Sequence, residues 1–184
     1  MTQDDLLRLI DQAATEGRKT LDLSGQNLTE LPAEIGQLTQ LETLILGKRK
    51  KRWDDFVGNR LRALPAEIGQ LINLKTLLIE GNQLESLPSE LGQLRRLRIL
   101  MAGENQLAQL PKTFKQLTEL RVLIFDKNRF ASIPIEIAQL HQLRTLRFYD
   151  NSLESVFEEI GELVGLQTLD LSSTQLSSLP PEIG

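Results

Sequence analysis

Apolar residues recur along this chain at a spacing that no single helix or strand explains. From Leu74 to Arg96 they occupy positions 1, 4, 6, 11, 14, 18 and 21, with Asn82 at position 9 and Pro88 at position 15. The same template returns every 23 residues, with position 1 at Leu97, Leu120, Leu143 and Leu166. A fixed period of this length predicts a solenoid, in which each repeat packs against its neighbours and the stack buries one continuous core.

The repeats divide the chain from near its start to its end. Upstream of Leu74, position 1 falls on Leu41 and, in an atypical first repeat, on Arg18. Leu41 lies 33 residues before Leu74, so the second repeat carries ten extra residues. We therefore predict a single domain with an N-terminal cap at 1–17 and seven repeats, the last one truncated, at 18–40, 41–73, 74–96, 97–119, 120–142, 143–165 and 166–184.

Each repeat contains signals for a strand, a turn and a helical turn. In Leu-x-x-Leu-x-Leu the residues at positions 4 and 6 point inward, and those at positions 3 and 5 point to the opposite face of a strand. The position 9 asparagine turns the chain and can bond backbone groups that no ladder satisfies. Proline at position 15 favours a turn or one helical turn outside. The predicted fold is α/β, with parallel strands on the concave face and helical turns or loops on the convex face.

The first seventeen residues predict a helix that covers the open end of the stack. Thr2 with Asp5 three positions later suits a helix N-cap, and Gly17 ends the helix. Apolar residues then follow at three- and four-residue spacing, at Leu6, Leu7, Ile10, Ala13 and Ala14. A terminal element of a solenoid must be apolar on one side and polar on the other, and this helix meets that need.

The composition says more about the cellular compartment of the protein than about its fold. The chain has no cysteine, which favours a reducing compartment over a disulfide framework. Its acidic start, MTQDDLLRLID, does not suit a signal peptide, and no apolar stretch is long enough to span a membrane. We therefore expect a cytoplasmic protein. The net charge of -4 says little by itself, but residues 47–58 hold five basic and two acidic residues, a local +3 that leaves -7 for the rest of the chain. This distribution argues against nucleic acid as a partner of the solenoid as a whole.

The repeat pattern also resembles a known family. Asn at position 9, Leu-Pro at 14 and 15 and Ile-Gly-x-Leu at 18 to 21 are similar to the intracellular leucine-rich repeats of Ras-binding scaffold proteins and Roco proteins. The first fifty residues look most like bacterial Roco proteins, where a helix and such repeats precede a Ras-like GTPase domain. The resemblance implies a right-handed horseshoe that senses or scaffolds within a signalling protein. Gly47-Lys48 is only a partial echo of a phosphate-binding loop.

Candidate binding residues lie on the concave face, where the repeats differ. Position 5 is apolar in four consecutive repeats and position 3 in two of them, giving the apolar stripe of Ile45, Leu78, Ile99, Met101, Val122 and Ile124. Strands about 4.8 Å apart would join these residues into a patch of roughly a few hundred Å², which is typical of an interaction surface. The alternative is that strand propensity alone favours them. Arg147 and Tyr149 extend the candidate surface.

The two edges of the predicted groove differ in charge. Position 2 supplies one edge with Lys75, Arg98, Arg121 and Arg144. Positions 7 and 8 supply the other with Glu80, Glu104, Asp126 and Asp150. A groove of this polarity would orient a partner segment and speed its encounter. The alternative is a set of solvated side chains whose stems cover the sheet edge.

The insertion in the second repeat is the one gross irregularity of the pattern. Its candidate residues are Lys48, Arg49, Lys50, Lys51, Arg52, Trp53 and Phe56. Adjacent cations repel one another, so we predict a solvated, mobile loop. Trp53 and Phe56 would either anchor a partner or fold back on the neighbouring coil. Deleting 48–57 restores the 23-residue spacing, so little loss of stability is expected.

The chain offers little for catalysis. His141 is the sole histidine, and no cysteine or metal-ligand spacing is present, so we predict no enzyme, no cofactor and no metal. The leading hypothesis is a module that binds a protein or peptide on its concave face. One alternative is binding of phosphate, anionic lipid or nucleic acid by the basic insertion. Another is self-association through an apolar edge of the last repeat, formed by Leu169, Leu171, Leu176, Leu179 and Ile183.

Overall fold

The leucines at positions 4 and 6 bring one short strand of each repeat into a common sheet. The computed structural model describes residues 1–49 and 56–183, apart from the side chain of Glu182. Its strands are β1 Thr20–Asp22, β2 Thr43–Arg49, β3 Phe56–Val57, β4 Thr76–Ile79, β5 Ile99–Met101, β6 Val122–Ile124, β7 Thr145–Arg147 and β8 Thr168–Asp170. The order β1-β2-β4-β5-β6-β7-β8 is parallel throughout, and β3 pairs with β2 in the antiparallel sense. The predicted solenoid is confirmed.

Equivalent repeat positions face one another across the sheet, so the core runs as continuous rows. Leu44 pairs with Leu77, and Leu77 pairs with Leu100, all fully buried. In the later repeats phenylalanine takes four core positions that aliphatic residues hold in other repeats. The neighbouring rings have centroids 5.1 to 6.2 Å apart, and the residues are Phe114, Phe125, Phe130 and Phe148. Close aromatic packing of this kind adds to the stability that burial already provides.

The convex side consists of short 3₁₀ helices, as the proline pattern predicts. They span Ala33–Gln37, Ala66–Gln70, Ser89–Gln93, Lys112–Gln116, Ile135–Gln139, Glu158–Glu162 and Pro181–Ile183. Proline precedes the first five because its ring presets φ and it lacks the N–H that a helix start leaves unsatisfied. Each of the first six turns inserts one apolar side chain, such as the fully buried Ile68 or Leu91, into the core.

The position 9 asparagines form the predicted ladder beside the sheet. The Asn105 Oδ1 accepts a hydrogen bond of 3.0 Å from the Leu84 N–H. Its Nδ2 donates to the carbonyls of Ile79 and Ala102, at 3.0 and 3.1 Å. Asn59, Asn82, Asn128 and Asn151 repeat these roles. The asparagines therefore satisfy buried backbone groups at the end of each strand, where the sheet cannot.

The N-terminal helix, α1, runs over Gln3–Thr15 and covers the first repeat. The Asp5 N–H donates to Thr2 Oγ1 at 3.1 Å, and the Thr2 N–H donates back to the Asp5 carboxylate at 3.2 Å. The Thr2 hydroxyl also donates to the Asp5 carboxylate at 2.6 Å, and this bond together with the one from the Thr2 N–H lowers the pKa of Asp5. Leu6, Ile10 and Ala13 are buried against the stack. None of the helices in the described part of the chain has the length and apolarity to cross a membrane.

Candidate functional site

The apolar stripe is continuous on the open face of the sheet. Ile45 pairs with Leu78, Leu78 with Met101, and Met101 with Ile124, while Ile99 pairs with Val122. All six side chains are partly exposed. Charged residues bound the position 5 row at both ends, because Asp22 pairs with Ile45 and Arg147 pairs with Ile124. The sheet thus presents an apolar surface four strands wide between two charged limits.

The ends of the insertion form a hairpin stem rather than a solvated loop, so that prediction is wrong for the described part. Lys48 pairs with Val57 and Arg49 with Phe56 across β2 and β3. Lys48 also forms an ion pair with Asp22. Burial alone would raise the pKa of Asp22, but hydrogen bonds from Lys48 and Ser24 outweigh it and lower that pKa. The predictions for Lys50, Lys51, Arg52 and Trp53 concern positions outside the described residues.

Arg49 reaches from this stem across the concave face. Its Nη2 lies 3.2 Å from Asp126 Oδ2, and its Nε lies 4.0 Å from Glu80 Oε1. Its backbone N–H donates to Glu80 Oε2 at 3.1 Å. The guanidinium lies 5.1 Å from the ring centroid of Phe56, a cation–π distance. One side chain of the second repeat therefore contacts acidic residues of the third and the fifth.

Phe56 lies against the neighbouring repeat, which favours the folding-back alternative for this residue. A Cβ placed on Gly81 would come within 3.0 Å of the Phe56 Cβ, so the two chains approach closely. Gly47 and Gly58 flank the insertion for the same reason. Cβ atoms there would lie 1.8 Å from the Glu80 carbonyl oxygen and 1.6 Å from that of Gly81, respectively. Glycine on each side of the insertion was the available sequence signal for this contact.

Asp126 is the centre of the charge network. It is 1% exposed and accepts from Arg147 Nη2 at 2.8 Å and from the Tyr149 N–H at 3.2 Å. Arg147 also lies 3.4 Å from Asp170. These groups line a pocket of about 260 Å³ together with Arg49, Lys127 and Ser172. Arg147 and Tyr149 therefore belong to a polar network beside the apolar stripe.

The acidic edge of the groove is largely neutralised inside the protein, contrary to the sequence prediction. Glu80 is 2% exposed and Asp126 is 1% exposed, and both contact Arg49. Glu104 pairs with Lys127 at 3.3 Å. Burial raises the pKa of Glu80, and the nearby charges of Asp126 and Glu104 add to that rise while Arg49 opposes it. The acidic residues at position 7 of two repeats could be recognised in the sequence. Their shared partner, Arg49, could not.

The basic edge divides into a paired and an unpaired half. Lys75 bonds Glu42 at 2.6 Å, and Arg98 bonds Glu119 at 3.2 Å. Arg121 and Arg144 are exposed and lie on neighbouring rungs of the sheet edge, where the Arg144 N–H donates to the Arg121 carbonyl at 2.9 Å. No ion pair to either arginine occurs within residues 1–49 and 56–183. This basic half faces solvent beside Val122.

The structure also gives the positions of the single histidine and of the apolar edge at the last repeat. His141 is exposed on the outer side. In the described ranges no three acidic or histidine side chains form a group that could hold a metal ion. At the last repeat Leu179 is 52% exposed, while Leu169, Leu171, Leu176 and Ile183 are half-buried. Self-association through this edge stays a prediction.

Solved structures with similar folds come from bacteria and plants. A leucine-rich repeat protein of Leptospira interrogans is 32% identical, with a TM-score of 0.69 over 94% of this chain and 54% of that one. The ectodomain of the Arabidopsis thaliana receptor kinase GASSHO1/SCHENGEN3, in complex with CASPARIAN STRIP INTEGRITY FACTOR 2, is 29% identical, with a TM-score of 0.70 over 84% of this chain and 18% of that one. PEPR1-AtPEP1 is also 29% identical, with a TM-score of 0.68 over 80% of this chain and 20% of that one.

This chain therefore spans about half the length of the first relative and about a fifth of the other two. None of the curated proteins matches the sequence. A family model described as a leucine-rich repeat region matches residues 55–149, and a second, described as a leucine rich repeat, matches residues 165–184. With the repeat register, the parallel sheet and the asparagine ladder in place, the chain belongs to the leucine-rich repeat family.

Proposed function

We propose that this chain is a non-catalytic module that binds a segment of a partner protein along the apolar stripe. Leucine-rich repeat proteins are generally protein–protein interaction modules, and this membership supports the class of function. The observation that carries the proposal is the unbroken row of four apolar side chains at position 5, open to solvent on the concave sheet. A row of this kind adds nothing to the core, which the residues at positions 4 and 6 already fill.

The stripe is large enough to contribute usefully to binding. Covering roughly 300 Å² of apolar surface contributes about 7 kcal/mol before the losses of motional freedom are subtracted. Polar contacts at the edges must therefore supply part of the affinity. The GASSHO1/SCHENGEN3 ectodomain was solved in complex with CASPARIAN STRIP INTEGRITY FACTOR 2, which supports the view that similar solenoids bind partners.

The finer proposal places this module in a Roco-like signalling protein, as its sensing or scaffolding part. Its support is the resemblance of the first fifty residues, with α1 leading directly into the repeats. The coding sequence downstream of Gly184 tests it. A Ras-like GTPase domain there supports the proposal, and an unrelated continuation overturns it.

The basic insertion is a weaker candidate for the binding site. Lys48 is paired with Asp22, and Arg49 with Asp126, so two of its five cations already have carboxylate partners. An anion would have to compete with these internal ion pairs. The concave stripe has no such competitor among the described residues.

The binding test uses a displayed library of random twelve-residue peptides selected on the wild-type protein. The variant Leu78→Asp with Met101→Asp places two charges in the stripe without touching the buried leucines. A buried charge without a partner typically costs several kcal/mol, so affinity for a selected peptide should fall about a hundredfold or more. Gln93→Asp on the exposed convex side is the control and should bind normally.

Thermal melting of all three proteins accompanies the binding measurement, because partly exposed positions should tolerate the change with a loss of up to about 1 kcal/mol. If the double variant keeps its melting temperature and binds the selected peptides as tightly as wild type, the stripe is not the binding surface.

A further inference from the structure

We infer that the partner segment is acidic as well as apolar, and that Arg121 and Arg144 bind its carboxylates at the basic edge of the stripe. This inference rests on the proposed function, because it concerns the same surface. It assigns a chemical class to the partner and two residues to its recognition.

The first argument concerns the residues at repeat position 2, which form the basic edge. Among the described residues, each earlier cation at this position is paired with a carboxylate, and Arg121 and Arg144 are not. Glu42 accepts from both Lys19 and Lys75, at 3.1 and 2.6 Å. Arg98 lies 3.2 Å from Glu119. Beyond that point the row continues with Arg121, Arg144 and the neutral Gln167. No described side chain neutralises either arginine.

The second argument is the spacing of the pair. Neighbouring strands lie about 4.8 Å apart, so the two guanidinium groups start from adjacent backbone positions and repel each other. A carboxylate between them relieves this repulsion and accepts charge-assisted hydrogen bonds from both. An extended segment advances about 3.3 Å per residue, so one or two acidic residues within three positions can meet both arginines.

The third argument is that most of the opposite edge does not repel an acidic segment. Glu80 and Asp126 are buried against Arg49, and Glu104 is paired with Lys127. Asp150 is the remaining exposed carboxylate among the four acidic residues of that edge. If the carboxylates of that edge were unpaired, the groove would favour a partner with negative charge on one side and positive charge on the other. The paired edge leaves the cations of position 2 as the dominant charge beside the stripe.

The fourth argument is that the first turns of most convex 3₁₀ helices disfavour an acidic partner. Five of the described 3₁₀ helices carry a glutamate in the first turn at the same place, at Glu34, Glu67, Glu90, Glu136 and Glu159. Like charge there directs an acidic segment away from the outer surface. The whole chain has a net charge of -4, so the two arginines carry charge opposite in sign to the total.

The test compares peptides selected from the same random library on wild type and on the variant Arg121→Gln with Arg144→Gln. Wild type should enrich peptides that combine apolar residues with aspartate or glutamate, and the variant should show no acidic enrichment. The control Arg95→Gln with Lys115→Gln removes the same two charges from exposed outer positions and should select the wild-type set.

A selected peptide is then synthesised with its acidic residues and again with the matching amides, Asn for Asp and Gln for Glu. The amide peptide should bind wild type about tenfold more weakly, since charge-assisted hydrogen bonds are lost, and both peptides should bind the arginine variant equally.

The outcomes separate this inference from the proposed function. Peptides that lose binding to Leu78→Asp with Met101→Asp, yet show no acidic enrichment on wild type, overturn the inference and keep the proposed function. Peptides unaffected by the stripe variant, or a library with no binders, overturn the proposed function itself. Acidic enrichment that persists in the arginine variant assigns the carboxylates to other residues and also overturns the inference.

Discussion

Replacing Arg49 by methionine tests whether the insertion is tied to the sheet by charge. Methionine keeps an apolar stem but removes the guanidinium group. Asp126 retains Arg147 at 2.8 Å and the Tyr149 N–H at 3.2 Å. Among its described partners, Glu80 retains the backbone N–H of residue 49, at 3.1 Å. The loss should therefore fall mainly on Glu80, a carboxylate that is 2% exposed.

The size of the loss has an upper limit. Removing one partner of a buried ion pair typically destabilises a protein by about 3–5 kcal/mol. Glu80 can escape part of this by binding a proton, and each unit of pKa change corresponds to about 1.4 kcal/mol. We expect the free energy of unfolding to fall by about 2–3 kcal/mol at pH 7.

The loss should depend on pH in a defined direction. Burial raises the folded-state pKa of Glu80 above its ordinary value of 4.5. At a pH between the ordinary value and the raised value, the folded protein therefore holds a proton that the unfolded chain has released. Stability on this account falls as pH rises above the ordinary value. Without Arg49 the interval widens, so the variant should fall further behind wild type between about pH 5 and pH 7.

Urea unfolding followed by circular dichroism at pH 5 and pH 7 measures these differences. Arg95→Met is the matched control at an exposed site and should change stability by less than about 0.5 kcal/mol. Adding Glu80→Gln to Arg49→Met removes the buried charge and should restore most of the loss. A loss below about 0.5 kcal/mol, or an equal loss at both pH values, would refute the reasoning.

Two further substitutions test the backbone contacts between repeats. Asn105→Ala leaves buried backbone groups without their side-chain partner, and a loss of about 2–4 kcal/mol in urea unfolding is expected; a loss under about 0.5 kcal/mol contradicts the ladder's role. Gly58→Ala places a Cβ 1.6 Å from the Gly81 carbonyl oxygen and should cost more than about 2 kcal/mol or prevent folding. Gly17→Ala is the comparison, because Gly17 has a left-handed φ of 59° but open space around it. It should cost about 1 kcal/mol by the same assay. An equal loss in the Gly58 and Gly17 variants would argue against a steric clash at Gly58.

The periodic part of the molecule follows from the sequence alone. Leucines at positions 4 and 6 predict which face of each strand is buried, and the register of β4 with β5 agrees. The asparagine ladder, the 3₁₀ turns after proline and the capping box of α1 are equally local. Each rests on a few neighbouring residues repeated at a fixed interval, so the pattern specifies both the element and its place in the stack.

The candidate surface was only partly predictable, because only some of its contacts recur at the repeat interval. The six apolar residues share repeat positions, so their alignment on adjacent strands could be read from the period. The pairing of Arg49 with Asp126 joins residues 77 apart and occurs once, without a periodic signal. Deleting 48–57 therefore no longer looks neutral, because it would leave Glu80 and Asp126 without this cation.

The tertiary structure alone decided which charges are available to a partner. In the sequence Glu80 and Arg121 are equivalent, as charged residues flanking an apolar strand. The fold buries Glu80 beside Arg49 and leaves Arg121 exposed without a carboxylate among the described residues. Ion pairing depends on the distance between side-chain atoms and on the water removed around them. Those quantities exist only once the insertion has folded onto the sheet.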